Sequence, residues 1–203
     1  MKVWVFAEVT SEGPTFGTLE LLAKARELGE VEAVALGPGA TASVGELGNH
    51  GASTVYASDD PVYADYLAQP AAHALQELVR MHNPELILFA SSYGARDVAG
   101  RLQAKLGAPL MANAVDISGA DAARTRIAGG SLVVDVVLEG PTPRLVIVSP
   151  KAFVAAATGG TANVVPVEID IPDGCKRARR VERHDEAASG PSLEEARVVV
   201  SGG

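Results

Sequence analysis

The sequence predicts an α/β protein, a doubly wound and mostly parallel sheet carrying an antiparallel β extension. Three observations predict it. Over the first 107 residues, short continuous apolar runs alternate with segments of helical apolar spacing, joined by brief polar connections. Beyond Pro109, strand-like segments follow one another with no helical segment between them. Aromatic residues make up only 4% of the chain, so the core must be built from Val, Leu, Ile and Ala. Such a core suits β-branched strands beneath Ala/Leu helices.

The elements follow in order. Val3–Ala7 is an apolar run bounded by charge, the pattern of a central parallel strand. Thr15–Leu28 reads as a helix with Leu19, Leu22, Ala25 and Leu28 on one face and Gly29 as its stop. Val31–Leu36 is a second strand, Thr41–Leu47 a short helix and Thr54–Ala57 a third strand. Pro61 is well placed in the first turn of a short helical piece. Ala71–His82 is amphipathic through Leu75, Leu78 and Val79. Leu86–Ala90 is a fourth buried strand, and a helix from about Arg96 to Leu106 ends at Gly107. Right-handed crossovers join these units into one sheet.

The later strands are Ala112–Ile117, Arg124–Ala128, Leu132–Leu138 and Arg144–Val148, with Gly140-Pro141-Thr142-Pro143 suited to a hairpin connection. Val164–Ile171 alternates apolar and polar residues as a half-exposed strand does. Residues 173 to 191 are charged and rich in Gly, Pro and Ser, a polar strand or linker. Ser192 and Glu195 form a capping-box pattern. Val198–Val200 reads as a buried strand entering the glycine turn Ser201-Gly202-Gly203. Such a turn ordinarily opens a helix, so the chain is expected to be one part of a longer protein. The expected organisation is a core over 1–110, antiparallel strands over 111–172, a polar linker over 173–197 and the start of another domain over 198–203.

The net charge of −8 argues against nucleic acid as a partner. The apolar run at the N-terminus is too short for a signal peptide or a membrane span, which predicts a cytoplasmic protein without membrane insertion. The single cysteine, Cys175, excludes an intrachain disulfide. Its neighbours Lys176 and Arg177 could lower its pKa, though an incidental surface thiol fits its polar context as well.

No Walker A loop, G-x-G-x-x-G turn, metal-spaced cluster or G-x-S-x-G elbow is present, so no catalytic set is assigned. Ser91–Asp97 is the best candidate site, because it lies at the carboxyl end of a central strand and opens a helix. Ser91 and Ser92 offer hydroxyls, Gly94 permits close approach, and Ala95 lies in the helix start whose N–H groups can hold an anion. An ordinary capped turn has the same residues. Asp97 and Arg101 are spaced for a helix-surface ion pair, while Arg96 or Arg101 at a subunit interface is the alternative. Ala152–Ala162 ends in a small-residue stretch with Gly159-Gly160, either a flexible loop or a close-packed interface segment.

With these residues in order, the chain resembles the N-terminal part of the electron transfer flavoprotein α subunit. The resemblance is carried by Thr18–Arg26, by Gly94-Ala95-Arg96-Asp97-Val98-Ala99-Gly100-Arg101-Leu102 and by Ala128–Leu132. Pro150–Phe153, Ala155–Gly160 and the terminal Val198–Gly203 complete it, so it covers essentially the whole chain. Ser149 and Gly130 depart from the arginine and asparagine usual in the family. The resemblance implies an adenine nucleotide alpha hydrolase-like fold and a heterodimer with a β subunit. It also implies electron transfer from flavin dehydrogenases, such as the acyl-CoA dehydrogenases of fatty acid β-oxidation, to a quinone oxidoreductase. FAD would be held mainly by a C-terminal domain whose leading edge is Ser201, Gly202 and Gly203. AMP would belong to the partner subunit, with a nucleotide at Ser91, Gly94 and Ala95 as a lesser alternative. Such a protein is an electron carrier and not an enzyme. A different class, an adenine-nucleotide-binding or ATP-pyrophosphatase-like enzyme, would carry a Ser-Gly-Gly loop after the first strand, where this chain has none.

Overall fold

A computed structural model describes residues 1–182, 196 and 198–202. Among them, nine strands form one sheet. Its first strand is the interior β1 (Lys2–Ala7), preceding a hairpin of the two-residue strands β2 (Val9–Thr10) and β3 (Gly13–Pro14) that the sequence reading lacked. Then come α1 (Phe16–Leu28), β4 (Glu30–Leu36), α2 (Val44–Asn49), β5 (Thr54–Ser58), α3 (Val62–Asp65) and α4 (Gln69–His82). They continue with β6 (Leu86–Ala90), α5 (Tyr93–Leu106), β7 (Leu110–Ile117), β8 (Ala122–Ile127) and β9 (Leu132–Val137). β10 (Arg144–Val148) and β11 (Asn163–Pro166) complete the set. The sheet order is β11-β5-β4-β1-β6-β10-β7-β8-β9. Only the β7–β8 and β8–β9 pairs are antiparallel in it.

The strand period of two sorts the core onto two faces. Val3, Val5, Ala7, Leu86, Leu88, Val146 and Val148 pack under α1 and α2, against Leu21, Leu22, Ala25 and Leu47. Trp4, Phe6, Ile87, Phe89, Leu145 and Ile147 pack under α4 and α5, against Leu75, Leu78, Val98 and Leu102. Covering both faces explains why the central strands are continuous apolar runs.

Three expectations change. β10 is no hairpin partner of β9; it inserts between β6 and β7, parallel to both. Its residues Leu145–Val148 are buried on both faces, which an edge hairpin could not provide. Val164–Ile171 is not one strand. Only Asn163–Pro166 pairs, parallel to β5 at the edge opposite β9, and the ladder stops because β5 itself ends at Ser58. The alternation beyond is real, since Val167 and Ile171 are buried and Glu168 and Asp170 exposed. Val198–Val200 forms no strand and is exposed. The Ser192–Glu195 capping pattern lies outside the described residues.

Helix starts also move. α5 begins at Tyr93 rather than Arg96, because the Ser92 hydroxyl caps it by accepting from Ala95 N–H at 2.9 Å. α4 begins at Gln69, with Pro70 in the first turn where its missing N–H costs nothing.

Candidate functional site

From β1 the chain steps to β4 and β5 on one side, and later to β6 and β10 on the other. The topological switch therefore lies between β1 and β6, and open α/β sheets gather ligands at the carboxyl ends there. A crevice of about 700 Å³ opens at that place, lined by Phe6, Glu8, Leu36, Tyr63, Gly94 and Arg180 among others. A second hollow of about 280 Å³ lies beside it, bordered by Glu8, Glu20, Ser91, Ser149 and Lys151.

Glu8 follows the last residue of β1 and borders both hollows. Its carboxylate accepts the Ser92 hydroxyl proton and lies over Gly94, where an added Cβ would stand 3.6 Å from Oε1. Burial pushes the Glu8 carboxyl up, against the opposing pull of hydrogen bonds from Ser92 and the Ala95 backbone. Glu20 on α1 is also buried and shifted upward by desolvation; it accepts from the Lys151 N–H at 3.2 Å. Tyr63 on the crevice wall is pushed up to about 12, by burial first and the Asp60 charge second, so it stays a neutral phenol.

The predicted turn residues are thus brought together, with particular commitments. Ser92 donates to Glu8 and accepts from Ala95. Ser91 accepts from the Arg96 guanidinium, which also reaches Asn113 Oδ1 at 3.0 Å. Arg96 is therefore a brace between α5 and β7. Asp97 and Arg101 pair at 2.7 Å along the helix surface. Ser201 and Gly202 are exposed and outside any element, a Cβ on Gly202 would meet nothing within 4 Å, and Gly203 lies outside the described residues. Ser201 and Gly202 form no cradle for a flavin by themselves. Cys175 is partly buried at the end of a short 3-10 turn.

Sequence reasoning missed Glu8, Glu20 and Arg180. Glu8 had a signal, a carboxylate at the carboxyl end of a central strand; Glu20 sits among Leu19, Leu21 and Leu22 in a helix, where a lone acid marks nothing. Arg180 comes from a distant segment tied to the α3–α4 region by Arg180 N–H to Asp65 O at 2.7 Å and Leu67 N–H to Ala178 O at 2.9 Å. Among the described residues, no group of three or more His, Cys, Asp or Glu could hold a metal, and no helix is long and apolar enough to cross a membrane.

A doubly wound sheet with a switch-point crevice and an antiparallel edge extension defines a nucleotide-binding-type α/β scaffold. A family model described as the electron transfer flavoprotein domain matches residues 3–173. The chain belongs to the electron transfer flavoprotein family. It is similar to the electron transfer flavoprotein subunit alpha of Thermoanaerobacterium thermosaccharolyticum, at 30% identity over 99% of this chain and 64% of that protein. The subunit alpha of Mycobacterium leprae is 32% identical over 91% of this chain and 58% of its own length. That of Bacillus subtilis is 24% identical over 100% and 64%. The chain thus spans less than two thirds of these relatives.

Proposed function

We propose that this chain is the scaffold and subunit-docking part of an electron transfer flavoprotein α subunit. The observation that carries this is the family match over residues 3–173, which takes in every strand of the main sheet. Residues 1–110, completed by the buried β10 and the parallel edge strand β11, supply the doubly wound core, the 111–172 stretch docks the partner through β7–β9, 173–197 is a linker, and 198–203 the entry to an FAD domain. The whole protein, acting in the cytoplasm, accepts electrons from flavin dehydrogenases and passes them to a quinone oxidoreductase. The electron chemistry belongs to the FAD, and the protein supplies binding and electrostatics. A role in docking is supported by the edge hairpin β8–β9, where Ile127, Leu132, Val133 and Val137 are exposed large apolar residues.

Co-expression of this chain with a tagged electron transfer flavoprotein β subunit tests the reading. A one-to-one complex is expected on size exclusion, weakened by Val133→Asp or Val137→Lys. A chain that elutes alone in the presence of its partner would overturn it.

A further inference from the structure

We infer that Glu8 is a built-in anion that makes the switch-point crevice refuse phosphate-bearing ligands. The crevice has the position and volume of a nucleotide site, at the carboxyl ends of β1 and β4 and beside the first turn of α5. Such a first turn attracts negative charge through free N–H groups. Here the chain supplies that charge itself. The Glu8 carboxylate takes the Ser92 proton and is hydrogen-bonded by the Ala95 backbone. The Ser92 oxygen is also capping Ala95, and Ser91 is held by Arg96. The room that Gly94 leaves over the helix start is filled by Glu8 Oε1, at ordinary van der Waals distance from where a Cβ would stand.

The Ser91 and Ser92 hydroxyls and the Ala95 N–H, donors a phosphate would use at this turn, therefore already have partners. A phosphate entering the same place would also meet a carboxylate of like sign in a half-buried setting, where juxtaposed like charges are costly. Asp97 adds a second carboxylate to the wall, tied to Arg101, while Arg180 lines the same crevice from a separate segment. Glu8 is thus a specificity-determining residue, and its charge decides the outcome. This does not rest on the electron-carrier reading, because the test measures binding alone.

The test is calorimetry of this chain with AMP and with inorganic phosphate, for the native sequence, Glu8→Gln and Glu8→Ala. Glu8→Gln keeps the size and an acceptor for Ser92 while removing the charge. The native chain is expected to bind neither probe at concentrations on the order of millimolar. Both variants should gain AMP affinity, about tenfold or more. Circular dichroism verifies that each variant is folded; should Glu8→Ala fail to fold, Glu8→Gln decides. Binding of AMP by the native chain as tight as by Glu8→Gln would overturn the inference, as would a folded Glu8→Gln that gains nothing for either probe.

Discussion

Trp4 and Glu32 face each other across adjacent parallel strands, and the indole Nε1–H donates to Glu32 Oε2 at 2.6 Å. Both residues are buried. Tyr56 donates to the same oxygen at 3.2 Å, its Oη also lies 3.2 Å from His82 Nδ1 with the two rings tilted at 47° and centroids 4.5 Å apart, and Lys2 Nζ stands 3.9 Å from Glu32 Oε1. Tyr56 is pushed up to about 12 by burial first, then by the charge and hydrogen bond of Glu32. One carboxylate thus satisfies two buried aromatic donors.

Glu32→Ala should cost about 1–3 kcal/mol, because it leaves the buried Trp4 N–H without an acceptor, while Tyr56 O–H keeps His82 Nδ1 within reach at 3.2 Å. Glu32→Gln, which retains one acceptor oxygen, should cost less. Trp4 is the chain's single tryptophan, so urea unfolding followed by its fluorescence reports from inside the cluster. Equal midpoints for Glu32→Ala and the native chain would show that the cluster contributes nothing.

The segment after β10 crosses to the opposite edge of the sheet by backbone-to-backbone packing on α2. Thr158 N–H donates to Asn49 O at 2.7 Å and Gly159 N–H to Asn49 Oδ1 at 3.1 Å. A Cβ on Gly48 would meet Ala162 N at 2.4 Å and Thr161 C at 2.8 Å, both backbone atoms. Gly48→Ala must push the strap away and should destabilise by about 1–3 kcal/mol. Limited proteolysis should then cut first within Ala155–Thr161, and an unchanged cleavage pattern would refute the close approach.

This strap shows where the sequence is legible and where it is not. Ala155–Gly160 reads as a segment fit for close backbone approach, yet nothing local names Gly48 as the surface approached. Leu86–Ala90 and Arg144–Val148 are legible to the residue, because two-sided burial imposes a continuous apolar run on each. The neighbours of β10 are not legible, since its insertion between β6 and β7 is a matter of long-range parallel pairing and not of any residue near Pro141. At the site, Ser92 and Gly94 are legible from turn chemistry. Their partner Glu8 is 84 residues from Ser92, and only the parallel β1–β6 pairing makes them meet.

Glu8 and Glu20 set one pH dependence. Burial raises both carboxyls above their ordinary 4.5, so the folded chain holds these protons to higher pH than the unfolded chain does. Their stabilisation is full below about 4.5 and is lost as pH rises through their folded values. Glu8→Gln and Glu20→Gln should each flatten the fall in melting temperature over that window, and Glu8→Gln should be the more stable at neutral pH. Thermal melts in steps from acid to neutral pH check this; a variant whose profile parallels that of the native chain would show that its carboxyl is unshifted.

Lys24 and Asp116 set the opposite dependence. Lys24 Nζ lies 3.0 Å from Asp116 Oδ1 and 2.9 Å from Glu27, with the Phe153 ring centroid 5.3 Å away, so it pins β7 and the strap to α1. The hydrogen bond from Lys24 is the main cause that holds the Asp116 carboxyl below its ordinary 3.8; burial opposes it. For Lys24, burial acts downward, but the bonds to Glu27 and Asp116 outweigh it and its pKa rises. A depressed carboxyl stabilises the fold above the unfolded value and loses that contribution as pH falls through the folded value. The Asp116 side chain is 44% exposed, so solvent screening keeps the pair below about 1 kcal/mol. Lys24→Met preserves an apolar stem against Phe153 and removes the charge together with its hydrogen bonds to Glu27 and Asp116. It should cost stability at neutral pH, with the difference from the native chain shrinking as pH falls below the ordinary carboxylate value of 3.8 and through the lower folded value of Asp116. Hydrogen exchange should quicken in Leu110–Ile117 and remain unchanged in Leu86–Ala90, because the pair anchors the extension and not the central sheet. Equal quickening in both strands would show that Lys24 acts on the core as a whole.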